Sequence, residues 1–117
     1  MTEHGTTPHD QIDDASLHAA AVMFGMLAAT ARLQIVLLLS SGERDVGSLA
    51  EEIGQSVAAV SQHLAKLKLA GIVRSRKEGR RQVYLVDDAG VSDVVALALR
   101  NRQLKQGETV RRTVHSA

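Results

Sequence analysis

The stretch QSVAAVSQHLAKLKLAGI, residues 55–72, decides the fold. Val57, Val60, Leu64 and Leu67 recur at three- and four-residue spacing, which predicts a helix with one buried apolar stripe. At about 100° per residue, Ala58, Ala59, Gln62 and Lys66 fall on the opposite side, flanked by Ser61 and His63. That outer side is small, polar and cationic. Small residues let a helix approach a groove wall closely. Gln62, Ser61 and His63 can donate or accept hydrogen bonds at base edges, and Lys66 can reach phosphate. Ser56 is placed to cap the N-terminus, and Gly71 to end the helix. Any amphipathic surface helix shares the stripe, so the flanking sequence has to separate a DNA-reading helix from an ordinary one.

Upstream, Asp45 to Gly54 reads as a short helix with Val46, Leu49, Ala50 and Ile53 on one buried face. Gly54-Gln55-Ser56 is a tight connection into the main helix. A short helix, a turn containing Gly and a second helix exposing small polar residues is the helix-turn-helix layout. Downstream the pattern changes to period two. Ile72, Val73 and Ser75, then Val83 and Leu85, read as two strands, with Lys77-Glu78-Gly79-Arg80 as the turn between them. This hairpin carries Arg74, Arg76, Lys77, Arg80 and Arg81, which makes a basic wing beside the helix.

Charge is distributed in blocks. Residues 1–65 hold two cations, Arg32 and Arg44, against eight acids. Residues 66–81 hold seven cations against Glu78 alone. The net charge of +1 hides this division. A basic block directly following a helix with a small polar face is the electrostatic footprint of a polyanion partner.

Composition excludes several classes. Of 117 residues 44% are apolar, enough for one folded domain with a modest core. Phe24 and Tyr84 are the only aromatic residues, and the absence of Trp disfavours stacking on splayed single-stranded bases. No Cys is present, which removes disulfides, thiolate metal sites and thiol redox chemistry. The apolar runs, Ile35 to Leu39 among them, are too short to span a bilayer, and no basic-then-apolar leader opens the chain. A cytoplasmic protein with no membrane partner is expected. No Ser-His-Asp order, paired carboxylate cleft or Gly-rich phosphate loop is recognisable, so the chain does not read as an enzyme.

Three regions follow. Residues 1–12 are polar and without period, a flexible N-terminal arm. Residues 13–104 form the winged helix domain for DNA binding and dimerisation. Residues 105–117 are read as a flexible tail. Within the domain, Asp13 and Asp14 open a helix that runs to about Leu27, with Leu17, Ala20, Ala21, Phe24 and Leu27 or Ala28 on its apolar face. A second helix covers roughly Ala29 to Ser40. Asp87-Asp88 opens a last helix, about Ala89 to Gln103, whose Val91, Val94, Val95, Leu97, Ala98 and Leu99 give a broad apolar surface. A terminal helix with that much apolar surface needs a partner. The Ala-rich first helix supplies it, so the two are expected to form a two-fold dimer seam. The fold class is mainly α with a small β-hairpin: a dimeric winged helix-turn-helix.

This order of elements resembles the ArsR/SmtB family of winged-helix repressors across about residues 15–103. Leu27-Ala28 with Arg32, Ile35 and Leu38 is similar to the family's Leu-Ala-x-x-x-Arg-x-x-Ile segment, with Ala29-Thr30-Ala31 in place of its usual Asp-Pro-Thr. Leu49-Ala50 through Ile53-Gly54, then Val60-Ser61-Gln62-His63-Leu64 and Leu67 to Val73, resembles the family's DNA-reading segment. Gly79-Arg80 and Tyr84 fit its wing. The resemblance implies a homodimer that binds a double-stranded DNA operator and is tuned by a ligand, often a metal ion. One class of family site uses Cys on the helix before the recognition helix, and Glu43 to Leu49 offers none. Another uses an Asp-x-His pair on the last helix with two partner ligands. Asp88 stands at the Asp position, but Gly90 replaces the His, and Asn101 and Leu104 occupy the later positions. One ligand of four cannot hold a transition metal.

The expected function is therefore that of a sequence-specific transcriptional regulator, with Ser56, Ala58, Ser61, Gln62, His63, Lys66, Arg76, Lys77, Arg80 and Arg81 on DNA. Metal chemistry, if the chain has any, is expected at His4 and His9 of the arm and His18 on the adjoining helix. Removal of Met1, which the small Thr2 permits, leaves Thr2-Glu3-His4, whose amine, two deprotonated amides and imidazole make a square-planar field. That field suits nickel or copper(II) better than zinc, with cobalt a further candidate. Some nickel-sensing relatives also carry a His near the N-terminus. No metal is needed for folding. The alternative is a DNA-binding or interaction module that senses its signal through a second protein, a co-regulator.

Overall fold

Every helix but the second begins at a side-chain cap that the sequence supplies. Asp13 accepts from the Ser16 amide at 2.7 Å and opens α1 (Asp14–Leu27). Asp45 accepts from the Ser48 amide at 2.8 Å and opens α3 (Val46–Ile53). Ser56 accepts from the Ala59 amide at 3.1 Å and opens α4 (Val57–Leu69). Each cap satisfies one of the amides that a helix N-terminus leaves without an internal partner. α2 (Thr30–Ser40) leaves α1 at a bend of 95°. The computed structural model describes residues 12–116, without the side chains of 108–116. The arm with His4 and His9 lies outside the described residues.

The turn between α3 and α4 is made by Gly54, which ends α3 in the left-handed conformation at φ +72. Only glycine takes this conformation without a Cβ penalty. It lets the chain reverse within three residues and sets α4 against α3, the helix-turn-helix arrangement.

The sheet has three antiparallel strands in the order β1-β3-β2: β1 (Arg44–Asp45), β2 (Val73–Glu78) and β3 (Arg81–Val86). Val73 pairs with Val86, Ser75 with Tyr84, and Glu78 with Arg81. The wing hairpin is therefore longer than its sequence suggests. Its strands run to Glu78 and from Arg81, leaving only Gly79-Arg80 as the turn, with Gly79 at φ +66. Strand β1 is two charged residues with no apolar period to announce them, and it pairs Arg44 with Tyr84 and Asp45 with Val83.

The core is aliphatic. Ile35, Val36 and Leu39 of α2 meet Leu49 of α3, Val60, Leu64 and Leu67 of α4, Ile72 and Val73, and Val91 and Val95 of α5 (Ala89–Ser116). Two sequence expectations need correction. Val57 does not belong to the buried stripe. It is 50% exposed, and residues 54–58 are all exposed, because the first turn of α4 projects beyond the edge of the core. The last helix does not end near Gln103 but continues to Ser116. Leu104, Lys105 and Gln106 are good helix formers with no proline after them, and Gly107 alone, at a cost of about 1 kcal/mol, does not interrupt it.

α1 buries only Leu27; Leu17 and Phe24 are exposed at 61% and 52%. On α5, Leu97 is 52% and Leu104 65% exposed. Among the described residues no single helix is long and apolar enough to cross a membrane.

Candidate nucleic-acid interface

α4 presents the outer side that its sequence sets out. Ala58, Ser61, Gln62 and Lys66 are exposed, while Val60, Leu64 and Leu67 are fully buried against the core. The two sets lie on opposite faces of one helix, so the core fixes the orientation of the polar face. Ser56 is also exposed, but its hydroxyl already accepts from the Ala59 amide. His63 differs from its neighbours. It is half-buried, and its Nδ1 lies 3.4 Å from a terminal guanidinium nitrogen of Arg32 on α2. Burial, then the nearby Arg32 and Lys66 cations, push its pKa below the ordinary 6.5.

The basic block sorts into two classes. Arg76 contacts Glu43 at 2.6 Å and Glu78 at 2.8 Å. The hydrogen bonds it donates to these carboxylates raise its pKa, and Arg76 in turn lowers that of Glu43. Arg81 contacts Asp45 at 3.0 Å. Asp45 is held ionised first by its bond from the Ser48 amide and further by Arg81. Arg74 contacts Asp87 at 3.1 Å, and Lys68 donates to the Ser75 hydroxyl at 2.9 Å. Lys66, Lys77 and Arg80 have no carboxylate partner among the described residues. These three, together with Lys68, which meets a neutral hydroxyl and no carboxylate, are the cations of the basic block available to an external anion. Arg76 and Arg81 instead fasten the wing to β1 and to the segment before it.

The positions where family metal sites stand do not fit an ion. Asp88 caps α5, its Oδ1 accepting from the Gly90 amide at 3.0 Å and from the Val91 amide at 3.4 Å. A Cβ at Gly90 would meet that same oxygen at 3.2 Å, so the carboxylate fills the space a side chain would enter. Among the described residues no three His, Asp or Glu side chains come close enough to hold an ion. His18 is exposed on α1, and His4 and His9 lie outside the described residues.

Sequence reasoning missed two residues here. Val57 is exposed beside Ala58 and adds an apolar surface to the first turn of the reading helix. Its place on the edge of the stripe, one position after the cap, was the available signal. Arg32 faces His63 across 31 residues of chain, and no local pattern announces that contact.

Comparison with known proteins agrees with this geometry. A profile described as bacterial regulatory protein, arsR family, matches residues 30–75. The chain is similar to the HTH-type transcriptional regulator KmtR of Mycobacterium tuberculosis, 35% identical over 94 residues that cover 80% of this chain and 72% of that one. It is 36% identical over 78 residues to the transcriptional activator HlyU of Vibrio cholerae, covering 67% of this chain and 72% of that one. Its fold matches the homodimeric winged helix-turn-helix DNA-binding domain of a possible ArsR-family transcriptional regulator from Mycobacterium bovis. The TM-score is 0.71 at 34% identity, over 82% of this chain and 94% of that one.

Proposed function

The chain belongs to the ArsR/SmtB family of transcriptional regulators, and from that premise we propose that it acts as a homodimer on a double-stranded operator. α4 enters the major groove with Val57, Ala58, Ser61, Gln62 and His63 toward the bases, and Lys66, Lys77 and Arg80 engage phosphate. The observation that carries this reading is the coincidence of an exposed small-polar helix face with four cations of the basic block, Lys66, Lys68, Lys77 and Arg80, that have no carboxylate partner among the described residues. The uncovered apolar side chains of α1 and α5, Leu17, Phe24, Leu97 and Leu104, supply the seam of the homodimer. A soluble cytoplasmic regulator is the setting this implies. The test is fluorescence anisotropy on promoter DNA against a scrambled duplex at fixed salt. Selective binding of about a thousandfold or more is expected, and equal affinity for both duplexes overturns the reading.

The signal is the finer part of the proposal. The arm histidines, His4 and His9, with His18 at the start of α1, supply nitrogen ligands suited to nickel or copper(II). The occupied cap at Asp88 argues against the last-helix site. The reading is tested by isothermal titration with nickel, copper, zinc and cobalt, on the native chain and on one lacking residues 2–10. Loss of nickel binding in the shorter chain is expected. Unchanged binding moves the site into the folded domain. An absence of metal binding in both, with DNA affinity changed only by a second protein, favours a co-regulator as the source of the signal.

A further inference from the structure

A polar contact joins α2 to α4 behind the exposed face. Arg32 is half-buried in the first turn of α2. Its Nε donates to the carbonyl of Met26, near the end of α1, and its terminal nitrogen faces Nδ1 of His63 at 3.4 Å. A guanidinium only donates. The Nδ1 that faces it is therefore the unprotonated, accepting nitrogen. A neutral imidazole with a bare Nδ1 carries its proton on Nε2. The surrounding charges act in the same direction. The cations facing the ring are Arg32 from α2 and Lys66 from the next turn of α4, and both disfavour a second proton.

We propose that Arg32 is a positioning residue for DNA reading: it fixes His63 as the Nε2–H tautomer, so that the reading helix offers a donor there and selects an acceptor on the DNA. This rests on the operator-binding reading above. In the major groove an Nε2–H donor matches N7 or O6 of guanine, N7 of adenine or O4 of thymine. It has no partner on cytosine, which presents an amino donor. The opposite tautomer reverses this choice and matches the amino groups of cytosine and adenine. Arg32 thus sets the polarity of one hydrogen bond without touching the bases. Because its Nε is held by the Met26 carbonyl, the guanidinium is not free to turn away, and the tautomer is tied to the corner between α1 and α2.

The test has two arms. The first is a long-range proton–nitrogen correlation spectrum of the nitrogen-15-labelled native chain at neutral pH without DNA, with His63 assigned by His63→Gln. The Nε2–H pattern is expected for the native chain, and a mixture of both tautomers for Arg32→Met. A protonated or Nδ1–H imidazole in the native chain overturns the proposal, as does an unchanged tautomer in Arg32→Met. The native spectrum needs no variant, so the proposal stays refutable if Arg32→Met does not fold. The second arm is a double-mutant cycle on an operator obtained by selection from random duplexes. His63→Ala is expected to cost roughly tenfold in affinity in the native background and no more than about threefold beside Arg32→Met. Equal costs in both backgrounds overturn the proposal. If no variant and no native chain binds any duplex selectively, the operator-binding reading fails and the proposal with it, even where the tautomer is as expected.

Discussion

Replacing Arg80 by alanine tests whether the cations without a carboxylate partner are the ones that engage DNA. Arg80 sits in the two-residue turn at the wing tip and has no carboxylate partner among the described residues. Each phosphate contact on duplex DNA releases condensed counterions and contributes about 0.9 to the slope of log affinity against log salt. A dimer presents the residue twice, so Arg80→Ala should flatten the slope by about 1.8 and weaken binding at roughly 0.1 M salt by about sixtyfold. Arg76 is the contrast, because Glu43 and Glu78 already neutralise it at 2.6 and 2.8 Å. Removing Arg76 alone would leave two carboxylates facing the phosphates, so the fair comparison removes a charge pair. Arg76→Met with Glu43→Gln leaves the net charge unchanged and should alter the slope by less than about 0.3. The assay is anisotropy on a non-specific duplex across a salt series, which needs no knowledge of the operator. A slope unchanged in Arg80→Ala, or flattened equally by the paired replacement, refutes the division into free and structural cations.

Three further outcomes are expected. Deoxyuridine in place of thymidine at the contacted step should weaken operator binding about as much as Val57→Ala does, with no added loss when both are made, because each removes the same methyl contact by the 50% exposed Val57; additive losses in a binding assay would place Val57 elsewhere. Leu97→Glu puts a charge into the expected seam, where Leu97 is 52% exposed in the single chain, and should give monomers by sedimentation and lose specific binding; a dimeric variant places the seam on other helices. The lowered pKa of His63 means that the unfolded chain binds a proton more readily than the folded one, so stability is complete above pH 6.5 and falls as pH drops below it. Thermal melts between about pH 7.5 and 5.5 should show that fall in the native chain, and a reduced fall in His63→Gln.

The helices were legible because burial imposes a period. Val60, Leu64 and Leu67 are spaced for one face, and all three are fully buried. The cap Ser56 was legible because a helix start needs an acceptor at one position, and it supplies one; Asp13, legible only as an acid that suits the helix dipole, proves to be a cap as well. Strand β1 was not, since Arg44 and Asp45 join the sheet through backbone bonds that any residue type can make. Val57 was misplaced because the period describes a whole helix, whereas burial depends on where the core ends. The continuation of α5 was missed because a polar composition after Gln103 was read as an absence of structure, although its residues are ordinary helix formers.

Charge shows the sharpest limit. Counting gives seven cations in residues 66–81, and that count identifies a basic wing. It cannot say which of them face an external anion. The partners that neutralise Arg76 and Arg81, Glu43 and Asp45, lie more than thirty residues earlier, in the acidic half of the chain. Two halves that look separate in composition are therefore joined in space, with part of the basic block committed to holding the wing in place. The charge left over is smaller, and it is localised at Lys66, Lys68, Lys77 and Arg80. The backbone ladder between β1 and β3 sets the position of the wing, and the paired arginines add to it. Without the unpaired cations a wing so placed has nothing to offer phosphate. The same reasoning extends to His63. In the proposed reading its chemistry at a base edge is set by Arg32 behind it, so the residue proposed to touch DNA and the residue that positions it lie on different helices.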